Sequence, residues 1–258
     1  MLKRKQSMNN ADWLDAVSNI RKTVSRDELD KEVETAVEAI RKRAEGKKTA
    51  YAWSGGKDSI VLAMLCQKAG VKDCLFVHSD LEYPAFLKWC MEHKPDGCTV
   101  INTHQDVDWL ALHPEMLFPK SAELVYRWYR LVQQTGIRRY FRDNGLDMMI
   151  VGHRKADGNY TGIDGMSTNR EGVTRFSPMA GWPHEYILAA IAYYHLPLPP
   201  IYGWKNGYRN GTHAWPCRLN ISSPDQGWRE VYDIDPSIVV SAARKIESAR
   251  SFLKGVSA

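Results

Sequence analysis

Six consecutive residues in the first part of the chain carry the groups that suit a phosphate ester. They are Ser54, Gly55, Gly56, Lys57, Asp58 and Ser59. Two adjacent glycines let the backbone approach a ligand closely, and the amide groups at the start of a following helix provide positive potential for anionic oxygens. The lysine adds a positive charge, and the serines add hydroxyl donors. This hexapeptide predicts a loop that binds a phosphate or a related oxyanion.

The segments on either side of the loop have the patterns that such a site requires. Residues 49–53 form a short apolar run, which predicts a buried strand, and residues 58–69 have the apolar spacing of a helix. The loop is not a Walker A motif, because in that motif more residues separate the first glycine from the Gly-Lys-Ser/Thr unit. We therefore expect a strand, a phosphate-binding turn and a helix, in that order.

Short apolar runs alternate with helical patterns through most of the chain. This alternation predicts an α/β fold with an open, mostly parallel twisted sheet flanked by helices. Residues 152–175 and 196–217 lack periodicity and are predicted as loops, the first of them long enough to be functional or mobile. The predicted strands are 49–53, 73–79, 98–102 and 147–151, and the predicted helices are 58–69, 84–93, 122–143, 182–195 and 235–253.

The chain divides into three predicted segments. Residues 1–48 form an N-terminal extension of packing helices, in which Ser25 and Glu28 have the spacing of a capping box. Residues 49–217 form the domain that carries the loop, and residues 218–258 form a C-terminal helical segment that packs on the same domain.

The composition is that of a folded intracellular protein with anionic partners. The chain has 258 residues, of which 44% are hydrophobic and 25% charged, and these values exclude a mostly disordered chain. The net charge of +5 favours polyanions such as nucleotides, RNA or DNA. The N-terminus lacks the apolar region of a signal peptide, and no apolar stretch is long enough to cross a membrane. Five cysteines without a C-x-x-C pair fit reduced thiols in the cytoplasm.

Several blocks in a fixed order give the chain a resemblance to the phosphoadenosine phosphosulfate (PAPS) reductase family. The 54–59 loop resembles the PP-loop of that family, whose superfamily has the adenine nucleotide alpha hydrolase-like (HUP) fold. The resemblance runs from about Lys48 to Cys217. Its other blocks are Leu81-Glu82-Tyr83-Pro84, Gly152-His153-Arg154, and Ser177-Pro178-Met179-Ala180 followed by residues 196–202.

The resemblance implies an enzyme that binds ATP or a related adenine nucleotide. The implied reaction breaks the α–β bond of ATP and adenylates an acceptor in sulfur metabolism or nucleic-acid modification. Asp58 and Asp80 would help to hold Mg²⁺, and Arg154 would reach an anionic part of the substrate. The nucleotide-binding candidates are Trp53, Ser54, Gly55, Gly56, Lys57, Asp58, Ser59, His78, Asp80 and Gly152, and the catalytic candidates are Lys57, Asp58, Arg154 and Cys217.

The chain also departs from the family pattern. The last five residues, 254–258, lack the Glu-Cys-Gly motif that carries the nucleophile of thiol-dependent PAPS reductases. Asp157-Gly158 and Thr161 stand where the family has Glu-Ser and an arginine, and Arg170 or Arg175 is a candidate substitute. Cys217 lies in a polar loop next to Arg218, which would lower its pKa, so it is a candidate nucleophile.

Three functions remain open from the sequence. The first is the adenylating enzyme, the second a PAPS reductase that uses Cys217, and the third a non-catalytic adenylate-binding regulatory subunit. A nucleic acid or a sulfur-carrier protein is a further possible partner, as is a second copy of the chain. Tyr126 to Arg142 mixes aromatic and basic residues as nucleic-acid surfaces do. Cys90, His93 and Cys98, with His213 and Cys217, are candidates for a zinc site.

Overall fold

A single six-stranded sheet organises the computed structural model, which describes residues 8–218 and 221–256. The strand order is β3-β2-β1-β4-β6-β5, and all neighbouring pairs are parallel except β5 and β6, which are antiparallel. This topology confirms the predicted α/β fold with a mostly parallel sheet. The strands are β1 (Thr49–Trp53), β2 (Cys74–His78), β3 (Thr99–Asn102), β4 (Met148–Ile150), β5 (Met166–Thr168) and β6 (Thr174–Phe176).

Helices cover both faces of the sheet. The α-helices are α1 (Asn10–Thr23), α2 (Arg26–Ala44), α3 (Lys57–Ala69), α4 (Pro84–His93), α5 (Val107–Leu112), α6 (Ala122–Tyr129), α7 (Thr135–Asp143), α8 (His184–Tyr193), α9 (Gly207–Asn210), α10 (Pro224–Tyr232), α11 (Pro236–Ala242) and α12 (Glu247–Val256). Short 3₁₀ turns lie at Pro114–Met116, Lys155–Asp157, Pro200–Gly203 and Trp215–Cys217, and a π-helical turn, Arg130–Gln134, joins α6 to α7. No helix in the described ranges is long and apolar enough to span a bilayer.

The central strands are buried because helices pack on both sides of them. All five residues of β2 and all three of β4 are buried. A parallel sheet with both faces covered requires such continuous apolar strands. Helix α3 packs on β1 and on α2 and α8, while α7 packs on β2. The carboxyl ends of β1, β2 and β4 therefore share one edge of the sheet, directly before the 54–59 turn, Ser79 and Gly152.

The structure adds two strands that the sequence pattern did not predict. Strands β5 and β6 lie within residues 152–176, which we predicted as a loop up to residue 175. Each has three residues, too few to show a strand periodicity. The predicted helix 235–253 is two helices, α11 and α12, and the predicted helix 122–143 contains the π turn. Strand β1 and helix α4 have the predicted bounds.

The N-terminal segment packs as helices on the main domain. Helices α1 and α2 contact α8, and α2 also contacts α3. The Ser25 side chain caps α2 by accepting from the Glu28 amide, but the Glu28 carboxylate accepts a hydrogen bond from Tyr186 instead of closing a capping box. Of the predicted segments 1–48 and 218–258, residues 1–7, 219–220 and 257–258 lie outside the described residues.

One close helix–strand contact lets us test this packing. A Cβ atom on Gly136 in α7 would lie 2.5 Å from Cγ1 of Val77 in β2. Gly136→Val should therefore lower the free energy of unfolding by about 1 to 3 kcal/mol through overpacking. Gly255→Val is the matched control, because Gly255 is also helical but has open space around it. Equal denaturant midpoints for the two variants would contradict the prediction.

Candidate functional site

The turn after β1 is closed by its own serines. The backbone amide of Ser54 donates to the Ser59 hydroxyl at 3.0 Å, and that hydroxyl donates to the Gly56 carbonyl at 2.9 Å. Gly55 has a positive φ of 67°, which favours glycine, and Gly56 is the N-cap of α3. The turn therefore directs the N-terminus of α3, with its positive potential, to the carboxyl edge of the sheet.

Both glycines of the turn are also in close contact with neighbouring side chains. A Cβ atom on Gly55 would lie 2.5 Å from the Cys90 sulfur, and one on Gly56 would lie 3.2 Å from Cγ2 of Thr212. Helix α4, which carries Cys90, and the segment around Thr212 thus hold the turn from two sides. The glycines are needed for this packing as well as for access by a ligand.

A cluster of buried charges lies directly behind the start of α3. We call Lys57, Asp58, Arg154, Asp157 and His184 the buried charge cluster. The Lys57 ammonium is 2.6 Å from Oδ2 of Asp58, and an Arg154 nitrogen is 2.7 Å from Oδ1 of Asp58 and 2.8 Å from Asp157. Arg154 also donates to the Trp182 carbonyl and lies 3.2 Å from Nδ1 of His184. Two partly buried carboxylates and two buried cations therefore neutralise one another.

Aromatic residues from distant segments cover this cluster. Trp13 of α1 is fully buried, contacts the His184 ring at 4.8 Å and lies 5.5 Å from the Lys57 ammonium. The Tyr202 hydroxyl accepts a hydrogen bond from the Lys57 backbone amide at 2.7 Å. Burial raises the pKa of Tyr202, so the phenol stays protonated and retains a proton to donate. Helix α1 and the 200–203 turn thus exclude water from the N-terminus of α3.

The cluster changes the role expected for two predicted residues. Arg154 is fully buried and engaged with Asp58 and Asp157, so our expectation that it reaches an anionic part of the substrate does not agree with the geometry. Both oxygens of Asp58 lie next to cations, so Asp58 does not fit a magnesium ligand. The sequence did not predict that Asp157 and His184 belong to the buried charge cluster, because no local pattern indicates a contact between distant segments.

The remaining nucleotide-binding candidates lie at the carboxyl ends of neighbouring strands. Trp53 is buried against Phe76, and His78 is buried and stacks on the same Phe76. Gly152 follows β4 and packs against the backbone of Asp58. Asp80 follows β2, is partly exposed and accepts from an Asn102 amide. The structure therefore brings the candidates to one sheet edge, although the side chains of Trp53 and His78 contribute to the core.

Cys217 does not lie in the environment that the sequence suggested. It is buried, and burial together with the nearby Glu82 charge raises its pKa. The neighbouring Arg218 guanidinium donates to the Tyr83 hydroxyl and does not lower the pKa of the thiol. The expected activation of Cys217 by Arg218 is therefore wrong, since a reactive cysteine needs an accessible thiolate.

Glu82 belongs to the 81–84 block, and its Oε2 atom is buried, although the sequence did not place it among the site candidates. Burial raises its pKa to about 7, although hydrogen bonds from Ser79 oppose that rise. Its charge also raises the pKa of Cys90, the residue that packs on Gly55. Glu82 therefore places a carboxyl group that titrates near neutral pH close to one side of the turn.

The two other site hypotheses find little support. Among the described residues, no group of three or more His, Cys, Asp or Glu side chains is arranged to hold a metal ion. In the aromatic and basic segment, Trp128 is buried and donates to a backbone carbonyl. Arg127, Arg138 and Arg139 each form an ion pair with a carboxylate at 2.6 to 3.5 Å. These contacts are those of ordinary helix packing and a solvated helix face.

Comparison with known proteins agrees with the turn and the sheet. The sequence profile described as phosphoadenosine phosphosulfate reductase domain matches residues 48–210, more than half of the chain. The chain belongs to this family. The match begins one residue before β1 and ends with α9, so it includes the turn, the sheet and the buried charge cluster. No curated protein sequence matches the chain significantly.

Solved structures with a similar fold are distant in sequence. A PAPS reductase from Candida auris, determined as a phosphate complex, is 15% identical, with a TM-score of 0.50 over 69% of this chain and 91% of that one. NMN synthetase from Francisella tularensis is 14% identical, with a TM-score of 0.48 over 66% and 71%. An NH₃-dependent NAD synthetase from Campylobacter jejuni is 14% identical, with a TM-score of 0.47 over 86% and 95%. The first supports the shared fold.

Removal of the central cation tests the buried charge cluster. Arg154→Met would leave the carboxylates of Asp58 and Asp157 without their common partner. We expect the free energy of unfolding to fall by about 3 to 5 kcal/mol, as for other broken buried pairs. Arg170→Met removes an exposed arginine between β5 and β6. It should change the free energy of unfolding by less than about 0.5 kcal/mol. Chemical denaturation measures both, and a similar small effect of Arg154→Met would contradict the cluster's role.

His184 makes stability depend on pH. Burial and then the Arg154 charge lower the pKa of His184 to about 4, below the usual value near 6.5. Unfolding therefore takes up a proton between these values, so this contribution to stability is present above pH about 6.5 and is lost as pH falls to about 4. His184→Gln keeps an acceptor for Arg154 but cannot titrate.

We expect His184→Gln to show a shallower loss of unfolding free energy over this pH range than the unaltered protein. Denaturant titrations at a series of pH values provide the comparison. His113→Gln is a control, because His113 lies outside the buried charge cluster. Parallel pH profiles for the unaltered protein and His184→Gln would show that His184 is not the titrating group.

Proposed function

We propose that this protein binds ATP, or a closely related adenine nucleotide, on the 54–59 turn and adenylates an acceptor. The observation that carries the proposal is the position of the turn. It presents the N-terminus of α3 at the carboxyl edge of a parallel sheet, between the ends of β1 and β4, where ligands dock in open α/β folds. The match to the PAPS reductase family over residues 48–210 supports a nucleotide ligand.

The proposed reaction is a substitution at the α-phosphorus. A nucleophilic atom of the acceptor forms a bond to the α-phosphorus, and the bond to the α–β bridging oxygen breaks. Pyrophosphate leaves with the bonding electrons, and the proton of the nucleophile passes to a base or to water. The α3 amides, the positive end of α3 and the hydroxyl groups of Ser54 and Ser59 would stabilise the departing pyrophosphate. The Tyr202 phenol would donate a hydrogen bond to a phosphate oxygen.

Magnesium would enter with the nucleotide. Asp58 is already neutralised by Lys57 and Arg154, so we assign no step to a metal bound there. Asp80 is the partly exposed carboxylate among the predicted ligands. A Mg²⁺ ion on the ATP phosphates would neutralise their charge, with Asp80 as the candidate protein ligand.

The state of Cys217 favours adenylation over reduction of a sulfonucleotide. A reductase needs a thiolate that attacks sulfur, and the Cys217 thiol is buried with a raised pKa. The Candida auris enzyme shows that the fold accommodates PAPS reduction in another protein. In this chain, the groups at the edge of the sheet are suited to a polyphosphate instead.

Pyrophosphate release tests the proposal. The protein is incubated with ATP, Mg²⁺ and an extract of small molecules and tRNA, and the products are identified by mass spectrometry. We expect pyrophosphate and an adenylated product, and Lys57→Met should lower the rate about 100-fold because Asp58, without this partner, would place an uncompensated negative charge behind the phosphates. Lys155→Met, an exposed lysine near Arg154, is the control and should retain the rate.

Other products would identify the other candidate functions. Sulfite released from PAPS with a dithiol, and lost in Cys217→Ser, would establish the reductase and overturn adenylation. ATP binding in calorimetry without any product would indicate a regulatory subunit. Thermal unfolding of Lys57→Met must first show that the variant is folded, because Lys57 is buried beside Asp58.

A further inference from the structure

Arg175 is a buried arginine that lies outside the charge cluster. It belongs to β6 and pairs in register with Met149 of β4. Its neighbour Phe176 faces α2, where the Arg43 guanidinium lies 5.0 Å from the ring. Successive residues of a strand point to opposite faces, so Arg175 points to the other face of the sheet, on the side of α6 and α7. Only 9% of the residue is exposed.

The guanidinium of Arg175 has an unusual lack of partners. Its Nε and Nη2 atoms are buried and have no hydrogen-bond partner. Within residues 8–218 and 221–256, no carboxylate lies within ion-pair distance of it, whereas the buried Arg154 contacts Asp58 and Asp157. Arginine cannot lose its proton to avoid this situation. A buried, unpaired guanidinium is costly, and its retention points to an anion that is absent from the chain itself.

The groups around Arg175 are neutral and polar. Burial raises the pKa of Tyr129, and the Arg175 charge opposes that rise. Burial and then the Arg175 charge lower the pKa of His153. The rings of Tyr129 and His153 are 6.5 Å apart, and the side chain of the buried Gln134 forms a hydrogen bond with Tyr129. A phenol and an imidazole therefore lie within electrostatic reach of the cation, and an amide lies beside the phenol.

A local irregularity places two of these groups. The π-helical turn Arg130–Gln134 interrupts the α6–α7 helix directly after Tyr129 and ends at Gln134. Such a turn inserts an extra residue into the helix and changes the direction of the side chains beside it. The irregular turn itself packs on β2, and Gln134 at its end forms a hydrogen bond with Tyr129 at its start.

We infer that Arg175, with Tyr129, Gln134 and His153, forms a second oxyanion-binding site that takes a phosphate, sulfate or carboxylate group of the substrate. The Nε and Nη2 atoms form one edge of the guanidinium, and this edge fits the paired oxygens of such a group. Arg175 lies two strands from β1, about 10 Å across the sheet, since neighbouring strands are about 4.8 Å apart, and its backbone is level with Ala50. Its charge acts on His153, which follows β4, so the guanidinium extends toward the carboxyl edge of the sheet. This inference rests on the proposed function in one respect. It assumes that the 54–59 turn and the Arg175 site are filled together by the nucleotide and its acceptor.

His153 provides a local reporter for this site. Burial and the Arg175 charge lower its pKa to about 4, while the Asp157 charge opposes the shift. An anion on Arg175 offsets the positive potential, so the pKa of His153 should rise when inorganic phosphate is added. Imidazole NMR signals, followed over pH with and without millimolar phosphate, measure that rise without any nucleotide or turnover.

Four variants separate the site from its alternatives. Arg175→Met should weaken phosphate binding at His153 by about ten-fold or more, because it removes a charged donor pair. Arg175→Lys should retain part of the response, and Arg170→Met, which alters an exposed arginine, should retain all of it. Lys254→Met, which removes an exposed lysine of α12, should also retain it. Because the probe is inorganic phosphate read at His153, the result stands whether or not the 54–59 turn binds ATP.

Stability distinguishes a binding role from a structural one. Replacing an unpaired buried charge by an apolar side chain should leave the melting temperature of Arg175→Met at or above that of the unaltered protein in phosphate-free buffer. A large loss of stability would show that Arg175 has partners in the fold and would overturn the inference. An unchanged His153 signal in millimolar phosphate would overturn it as well.

Two arms identify the source of the oxyanion. Adenosine 3′,5′-bisphosphate is compared with AMP, and a gain in affinity that depends on Arg175 assigns the site to a second phosphate of the nucleotide. In the second experiment, acetate or phosphate is added to the ATP complex. A His153 response that depends on Arg175 would then assign the site to the acceptor. Either response supports the site, and the absence of both would count against it.

Discussion

The contact between Asp58 and Arg154 connects the parts of the molecule on which the site depends. Asp58 belongs to the first turn of α3, and Arg154 follows β4, so their 2.7 Å ion pair joins the turn to the neighbouring strand end. Burial makes this pair necessary, because either charge alone would be strongly unfavourable in the interior. Trp13 and Tyr202, from distant segments of the chain, close over the neighbouring His184 and Lys57.

This arrangement assigns structural and ligand-binding duties to different residues of one motif. Lys57 and Asp58 lie within a hexapeptide that reads as a phosphate-binding loop, yet their side chains are turned into the protein. The groups that remain for a ligand are the backbone of the turn, the positive end of α3 and the serine hydroxyls. Such a site recognises an anionic tail through amides and dipoles more than through mobile charges.

Two arginines illustrate how the same residue type serves opposite purposes. Arg154 satisfies two carboxylates and holds the site together. Arg175 is also buried but has no such partner among the described residues. Charge balance in the first case contributes to the fold, while the unbalanced charge in the second is what an incoming oxyanion would neutralise. Cys217, by contrast, has the environment of a core thiol.

The sequence by itself determined the sheet, the turn and the family, because these depend on local patterns: apolar runs, paired glycines and a helix that begins at Lys57. It did not predict β5 and β6, whose three residues each are too short to show a period. It also misjudged Arg154, Asp58 and the pKa of Cys217. Only the tertiary structure decided those, since burial and partner choice depend on residues far apart in the chain, and these set whether a charge meets a ligand or another side chain.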